Sequence, residues 1–449
     1  MVRDLRDDAA RIWRAAVDAV DPREMVAKSL HVAGGHLTAG GATFDLRGVR
    51  RIAVVGAGKA ARGMAEGVES ALGEDVMRAK ELVGWVNVLK PDAGRLSRIV
   101  LHGSRAAGSP LPTSAGVAGT RRMIELLESL GPPDLAICLL SGGGSAMMTA
   151  PPRGVPLSAK KAVTKALSER GATIRELNTV RKHVSTVKGG RLAESCGAGA
   201  MIVLIVSDVV GDDLESIASG PTVSDRTTFA DALSILNGIG APDLLPREVM
   251  DHVTKGVRGE IPDSPKRIGR RIHNIVIGNN AVALAAAEMS ARTLGYNVLS
   301  LGSLMEGEAR EIGIALGSLA LSIKRAGKPI APPACVLWGG ETTVSNVVSG
   351  GKGGRNQEMV LGALDHFSET GMEGLMVFSA STDGEDGPTD AAGGFADRST
   401  LVGSRSAGLV PRSFLERSNS YRFLKRAGGL FASGPTGTNV MDVSLALVP

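Results

Sequence analysis

Three runs decide the fold of this chain: Val336-Leu337-Trp338-Gly339-Gly340-Glu341-Thr342-Thr343, then Gly350-Gly351-Lys352-Gly353-Gly354-Arg355-Asn356-Gln357-Glu358, then Leu375-Met376-Val377-Phe378-Ser379-Ala380-Ser381-Thr382-Asp383-Gly384-Glu385-Asp386-Gly387-Pro388-Thr389-Asp390. They read as two buried strands, each released into a glycine-rich loop dense with charge. In open α/β sheets, ligands bind at loops beyond the carboxyl ends of strands. Glycines there bring bare backbone N–H groups up to an anion, and clustered carboxylates hold the cation that accompanies a phosphate. The pattern points to an enzyme acting on a phosphorylated ligand.

The same arrangement recurs upstream. Arg51-Ile52-Ala53-Val54-Val55 is a short apolar strand that Gly56-Ala57-Gly58-Lys59 turns into a helix. Leu135-Ala136-Ile137-Cys138-Leu139-Leu140 is a strand ending in Ser141-Gly142-Gly143-Gly144-Ser145. Ala200 to Val206 is another, feeding Ser207-Asp208. Strands alternating with helices over short links predict an α/β fold with a parallel sheet covered on both faces. Apolar residues at Leu5, Ala9, Ile12, Trp13, Ala16, Val17 and Val20 predict an amphipathic first helix. The stretch 241–267, with Pro242, Pro246, Pro262 and Pro265, is the best linker candidate, and a second strand–loop–helix system is expected to begin with Asn274–Asn280.

Composition narrows the function. At 449 residues the chain is too long for one core, so two domains are expected. Aromatic residues make up only 3%, which leaves almost no stacking platform for single-stranded nucleic acid. A net charge of +5 is small for this length; it favours anionic small molecules weakly and by itself says little about nucleic acid, and no nucleic-acid partner is expected. Cys138, Cys196 and Cys335 lack CxxC spacing and read as buried thiols in a reducing compartment. The charged N-terminus has no secretory apolar region, and no run approaches the roughly 18 apolar residues of a membrane span. A cytoplasmic protein with no membrane partner is expected.

Several residues are candidates for chemistry. Gly56-x-Gly58-x-x-Ala61 formally fits a dinucleotide fingerprint, but the acidic ribose partner is missing where Leu89 runs into Lys90-Pro91. Lys59 instead places a cation at a helix start; the bland alternative is an exposed lysine. Ser141, Gly142, Gly143, Gly144 and Ser145 are expected to line a phosphate, or else to form a tight strand–helix turn. Lys188, in the basic run from Asn178 to Arg191, belongs to a directed cationic face or a solvated one. Asp208 and Asp383 stand just past strands, placed to bind Mg²⁺, to accept a hydroxyl proton, or to cap loops. Arg355, framed by Gly353 and Gly354, is expected to clamp phosphate or carboxylate, with a salt bridge inside the loop as the alternative.

Taken together, these motifs resemble the type II, or MOFRL-domain, glycerate kinases. The resemblance rests on GAGKA (56–60), LSGGGSA (140–146), NTVRKHVS with KGG (178–190), VSDVVGDDLESIASGPT (206–222), GGETTV (339–344), GKGGRNQE (351–358) and STDGEDGPTDAAGG (381–394). It implies two three-layer α/β/α domains: a Rossmann-like N-terminal domain (1–250) with a mostly parallel sheet, and a C-terminal domain (251–449) with a mixed sheet. It also implies a catalytic cleft between them, ATP and Mg²⁺, and phosphorylation of D-glycerate at the 2-hydroxyl. Lys59 and Arg355 match positions the family is thought to use in catalysis. Asp208 is the further catalytic candidate, and Asp208 and Asp383 are the metal candidates. The 141–145 loop, Lys188, Gly353 and Gly354 would hold nucleotide phosphates. A monomer or homodimer is expected.

One departure is visible: many family members read His-Pro-x-Pro-Asp where this chain has Ser109-Pro110-Leu111-Pro112-Thr113. Relatives labelled hydroxypyruvate reductases keep an NAD(P)H-dependent reductase as an alternative. A non-catalytic sugar-phosphate-binding protein is a second.

Overall fold

A computed structural model describes residues 4–106, 111–239, 245–269, 271–345 and 347–449. The chain divides into two compact units. One comprises Pro22–Ser207 and Asp212–Ile277; the other comprises the chain up to Asp21, the short segment Asp208–Gly211, and Gly278–Pro449. The sequence places one cut near residue 250; the division by contacts is discontinuous.

The first unit opens with a small antiparallel meander of β1 (Leu30–Ala33), β2 (His36–Ala39) and β3 (Ala42–Asp45). Its main sheet contains β4 (Ile52–Ala57), β5 (Val83–Leu89), β6 (Gly94–Arg95), β7 (Ile99–Arg105), β8 (Leu135–Ser141), β9 (Ala200–Val206) and β10 (Ile272–Gly278). The order is β10-β9-β8-β4-β5-β7-β6. The β9-β8-β4-β5-β7 core is parallel, and the short β6 pairs antiparallel with β7. Every residue of β4 and β8 is buried, as continuous apolar runs require when helices cover both faces. From β4 the chain proceeds to β5 and β7 on one side, then returns to β8 and β9 on the other. The β4–β8 boundary is therefore the topological switch point, where α/β sheets open a crevice at their carboxyl ends.

Two expectations are corrected here. The proposed linker contains the helix Arg247–Val257, whose Val249 and Val253 at i and i+4 are fully buried. These valines share a core with Val163, Leu167, Val180, Phe229 and Leu236. The prolines mislead because Pro246 only caps the helix and Pro262 and Pro265 follow it; Pro242 lies outside the described residues. Likewise, the strand expected to start the second system is β10, which extends the first sheet beside β9.

The second unit holds β11 (Asn297–Ser300), β12 (Ala334–Gly340), β13 (Met376–Ser381), β14 (Gly393–Ala396), β15 (Leu430–Phe431) and β16 (Asp442–Val448), ordered β11-β12-β16-β13-β14-β15. Only β11 and β12 are parallel, so this sheet is mixed. The C-terminal strand β16 fills the space between β12 and β13, the two strands that opened the sequence reading. Helix Leu5–Ala19 joins this unit and buries Ile12 and Trp13, with Trp13 set edge-on to Phe431 at 5.1 Å. Asp4 caps it by accepting from the N–H groups of Arg6 and Asp7. All three cysteines are free and buried.

Candidate functional site

At the switch point, the turn after β4 and the loop after β8 interlock. The Lys59 N–H donates to the Gly142 carbonyl (2.8 Å), and the Ala60 N–H donates to Ser141 Oγ (3.1 Å). Gly58 (φ +145°) must be glycine, because a Cβ there would lie 2.0 Å from Ser141 Oγ. Gly143 is left-handed (φ +75°), and a Cβ on it would meet Arg105 Nη2 at 3.0 Å and Lys59 Cγ at 3.5 Å. The Lys59 stem and the buried Arg105 guanidinium thus converge on one glycine.

Beside them, Lys188 is 1% exposed and donates through Nζ to Ser145 O (3.0 Å), Ser145 Oγ (2.8 Å) and Ala218 O (3.0 Å). Burial holds its ammonium well below the ordinary lysine range, and the nearby charges of Lys160 and Arg181 add to this. Lys160 is itself buried and lowered to about 7, by burial first and then by Arg181. Ala218 and Ser219 adopt positive φ (50° and 61°), a strained backbone that the Lys188 and Ser145 contacts help to hold. The Ser141 and Ser145 hydroxyls already serve protein partners, while the basic side chains of Lys59 and Arg105 converge on Gly143 and burial disfavours the charged forms of Lys188 and Lys160. Arg105 escaped the sequence reading; a basic residue closing an apolar strand was its only signal.

In the second unit, Arg355 is the first residue of helix Arg355–His366. Its Nε and Nη2 donate to both carboxylate oxygens of Asp442 (2.5 and 3.0 Å), and Nη1 donates to Glu341 Oε1 (2.6 Å). Burial opposes its charge, but Asp442 and Glu341 outweigh burial and hold the guanidinium above its ordinary range. Partial burial raises the Glu341 carboxyl; Arg355 opposes that rise, and Asp442, Asp208 and Asp383 reinforce it. These carboxylates therefore form one cluster. Asp383 accepts from Ser381 Oγ (2.8 Å) and the Glu385 N–H (3.0 Å), and Asp208 accepts from Asn439 Nδ2 (3.3 Å).

Asp386 lies beneath this cluster, 2% exposed, accepting from the N–H groups of Asn356 (3.1 Å) and Gln357 (2.8 Å) at the helix start. Burial raises its carboxyl to about 6. The glycines of this loop press against the protein itself. A Cβ on Gly351 would lie 2.5 Å from the Arg417 carbonyl, one on Gly353 2.0 Å from Ser420 Oγ, and one on Gly354 2.3 Å from the Asp386 carboxylate. Internal packing therefore accounts for these glycines. Lys352 sits over the Tyr421 ring at 4.2 Å. Asp386 was one of the loop carboxylates trailing Asp383 in the sequence, whereas Asp442 was not singled out; its signal was a carboxylate opening an otherwise apolar terminal strand.

Among the described residues, no group of three or more His, Cys, Asp or Glu side chains is arranged to hold a metal alone. Mg²⁺ is typically held by one or two carboxylates, with phosphates and water completing the shell. The hard oxygens of Asp208 and Asp383 fit a cation that arrives with a nucleotide, and do not fit a caged one.

Of the departing loop, Ser109 and Pro110 lie outside the described residues. Thr113 caps helix Ser114–Glu128 by accepting from the Gly116 N–H (3.0 Å), a task that aspartate performs equally well.

The fold and its charged loops define a two-unit α/β protein equipped for anionic ligands. Residues 8–254 match the family described as a domain of unknown function (DUF4147), and residues 334–442 match the MOFRL family. The chain is 39% identical to the glycerate 2-kinase of Pyrococcus horikoshii over 99% of its own length and 98% of the relative's. It is 38% identical to a putative hydroxypyruvate reductase of Agrobacterium vitis, over 98% and 93% of the two chains. The crystal structure of glycerate kinase from Thermotoga maritima superposes with a TM-score of 0.82 at 35% identity, covering 99% of each chain. The chain belongs to the type II (MOFRL-domain) glycerate kinase family. Among the described residues, no helix is long and apolar enough to cross a membrane.

Proposed function

We propose that this protein transfers a phosphoryl group from ATP to the 2-hydroxyl of D-glycerate, giving 2-phosphoglycerate and ADP. The observation that carries this reading is that the chain aligns almost end to end with a glycerate 2-kinase; its first unit carries a basic switch-point loop and its second an arginine–carboxylate cluster. Phosphoryl transfer depends mainly on positioning and charge neutralisation. Lys59 supplies a cation to the transferring group, and Arg355 contacts an anionic oxygen of the substrates. Asp208 orients or deprotonates the acceptor hydroxyl. The 141–145 backbone, Lys188, Gly353 and Gly354 shape the loops that receive the phosphates. Mg²⁺, held by Asp208 or Asp383, would neutralise phosphate charge. We further propose a cytoplasmic monomer or homodimer without nucleic-acid or membrane partners.

The alternative is hydroxypyruvate reduction, which the Agrobacterium relative's name keeps in view. The geometry favours it less. After β5 come Lys90 and Pro91, and the nearest following carboxylate, Asp92, lies beyond them in a short turn. The test pairs two assays on one preparation. ATP consumption with D-glycerate, yielding a 2-phosphoglycerate resonance by phosphorus NMR, is the expected result. NAD(P)H oxidation with hydroxypyruvate and no ATP turnover would overturn it; ligand binding without either turnover would support a sugar-phosphate-binding protein.

A further inference from the structure

We propose that Asp442 is the positioning residue of the Arg355 guanidinium, so that Arg355 meets its anionic ligand only through its outer edge. This rests on the kinase reading above for the role of Arg355, and on geometry for everything else. Asp442 opens β16 between β12 and β13, is 0% exposed, and is paired to strands on both sides. Its carbonyl also accepts from Asn280 Nδ2 (2.9 Å). A carboxylate mounted this way has almost no freedom. By taking both Nε and Nη2 of Arg355, it fixes the plane of the guanidinium as well as its place.

The base of the arginine is fixed independently. Asp386 anchors the N–H groups of the next two residues, and Gly354 gives it the room to do so. Glu341, by contrast, makes a single contact through Nη1 and its side chain is 42% exposed. The guanidinium thus has one locked edge, facing Asp442, and one edge whose protein partner stands at the surface. A bidentate grip on phosphate through Nε and Nη2 is unavailable while Asp442 holds them. The ligand contact falls to the Nη1 side, end-on.

The test is a double-mutant cycle on the full chain with Asp442→Asn and Arg355→Lys. If Asp442 acts through Arg355, Asp442→Asn lowers kcat/KM on the order of 10²-fold in the wild-type background and less than about threefold in the Arg355→Lys background. Equal losses in both backgrounds would mean that Asp442 matters only to the sheet, and would overturn the proposal. A second measurement needs no change at 442. The Arg355 Nε–H resonance, assigned by its loss in Arg355→Lys, is expected to remain protected from solvent exchange when ATP and glycerate are added. Its release or a large shift would show the guanidinium turning to the ligand, and would also overturn the proposal. A wild-type protein that fails to phosphorylate glycerate refutes the kinase reading instead, and leaves the resonance measurement able to decide the role of Asp442.

Discussion

The Nζ of Lys188 donates to both the carbonyl and the hydroxyl of Ser145, at 3.0 and 2.8 Å. One buried lysine side chain thereby ties the loop after β8 to the strained Ala218–Ser219 turn.

Lys188→Met keeps the volume and removes the donors to the Ser145 and Ala218 carbonyls, while the Ser145 hydroxyl keeps its contact to Ser219. Unpaired buried acceptors cost about 1–3 kcal/mol each. The melting temperature should fall by several degrees, and activity should fall further than stability, because the 141–145 loop loses its anchor. Calorimetry and steady-state kinetics on one preparation check both. An unchanged melting temperature would mean that water replaces the lysine side chain without loss.

Lys59→Ala should lower kcat about 10²-fold or more with little effect on melting, as for other residues that stabilise transition-state charge. The residue is part-exposed, and its backbone N–H, which any residue supplies, makes the contact to Gly142. Near-normal kcat in a cooperatively melting variant would assign Lys59 to the solvated helix start.

Arg355→Lys keeps the charge but cannot span both oxygens of Asp442, so it should lose nearly as much kcat/KM as Arg355→Ala. The two should differ in stability. The alanine variant strands a buried carboxylate, at a cost of about 3 kcal/mol, while the lysine variant retains part of the pairing. Thermal denaturation separates them. Full activity in both would make the 351–355 loop structural.

Asp386 sets a pH dependence of stability. Burial raises its folded-state pKa to about 6, above the ordinary aspartate range. The folded protein therefore binds more protons than the unfolded chain between about pH 4 and 6. This group's contribution is fully present below that window and is lost as pH rises through about 6, for a total near 3 kcal/mol. Asp386→Asn cannot titrate, so its stability relative to wild type should rise across the window. Urea melts at pH 4, 5, 6 and 7 measure this, and a constant difference would contradict the assignment.

Much of the architecture followed from local pattern. The apolar runs at 51–55, 135–140 and 200–206 read as strands, and the alternation of strand and helix pointed to a parallel sheet covered on both faces; the observed strands Ile52–Ala57, Leu135–Ser141 and Ala200–Val206 agree. The placement of Lys59 and the 141–145 loop was legible because a glycine-rich turn after a buried strand marks a sheet's carboxyl end whatever the topology. The family followed from the order of its motifs.

Tertiary structure decided what local pattern cannot carry. That β10 extends the first sheet, and that β16 inserts between β12 and β13, depends on pairings between strands distant in sequence. Prolines at 246, 262 and 265 read as a linker, yet they flank a helix held by burial of Val249 and Val253. The glycines beside Arg355 looked like room for a ligand because sequence shows the missing Cβ but not what fills its place; Arg417, Ser420 and Asp386 fill it. Asp442, 87 residues from Arg355, became its partner only when the last strand folded into the middle of the sheet.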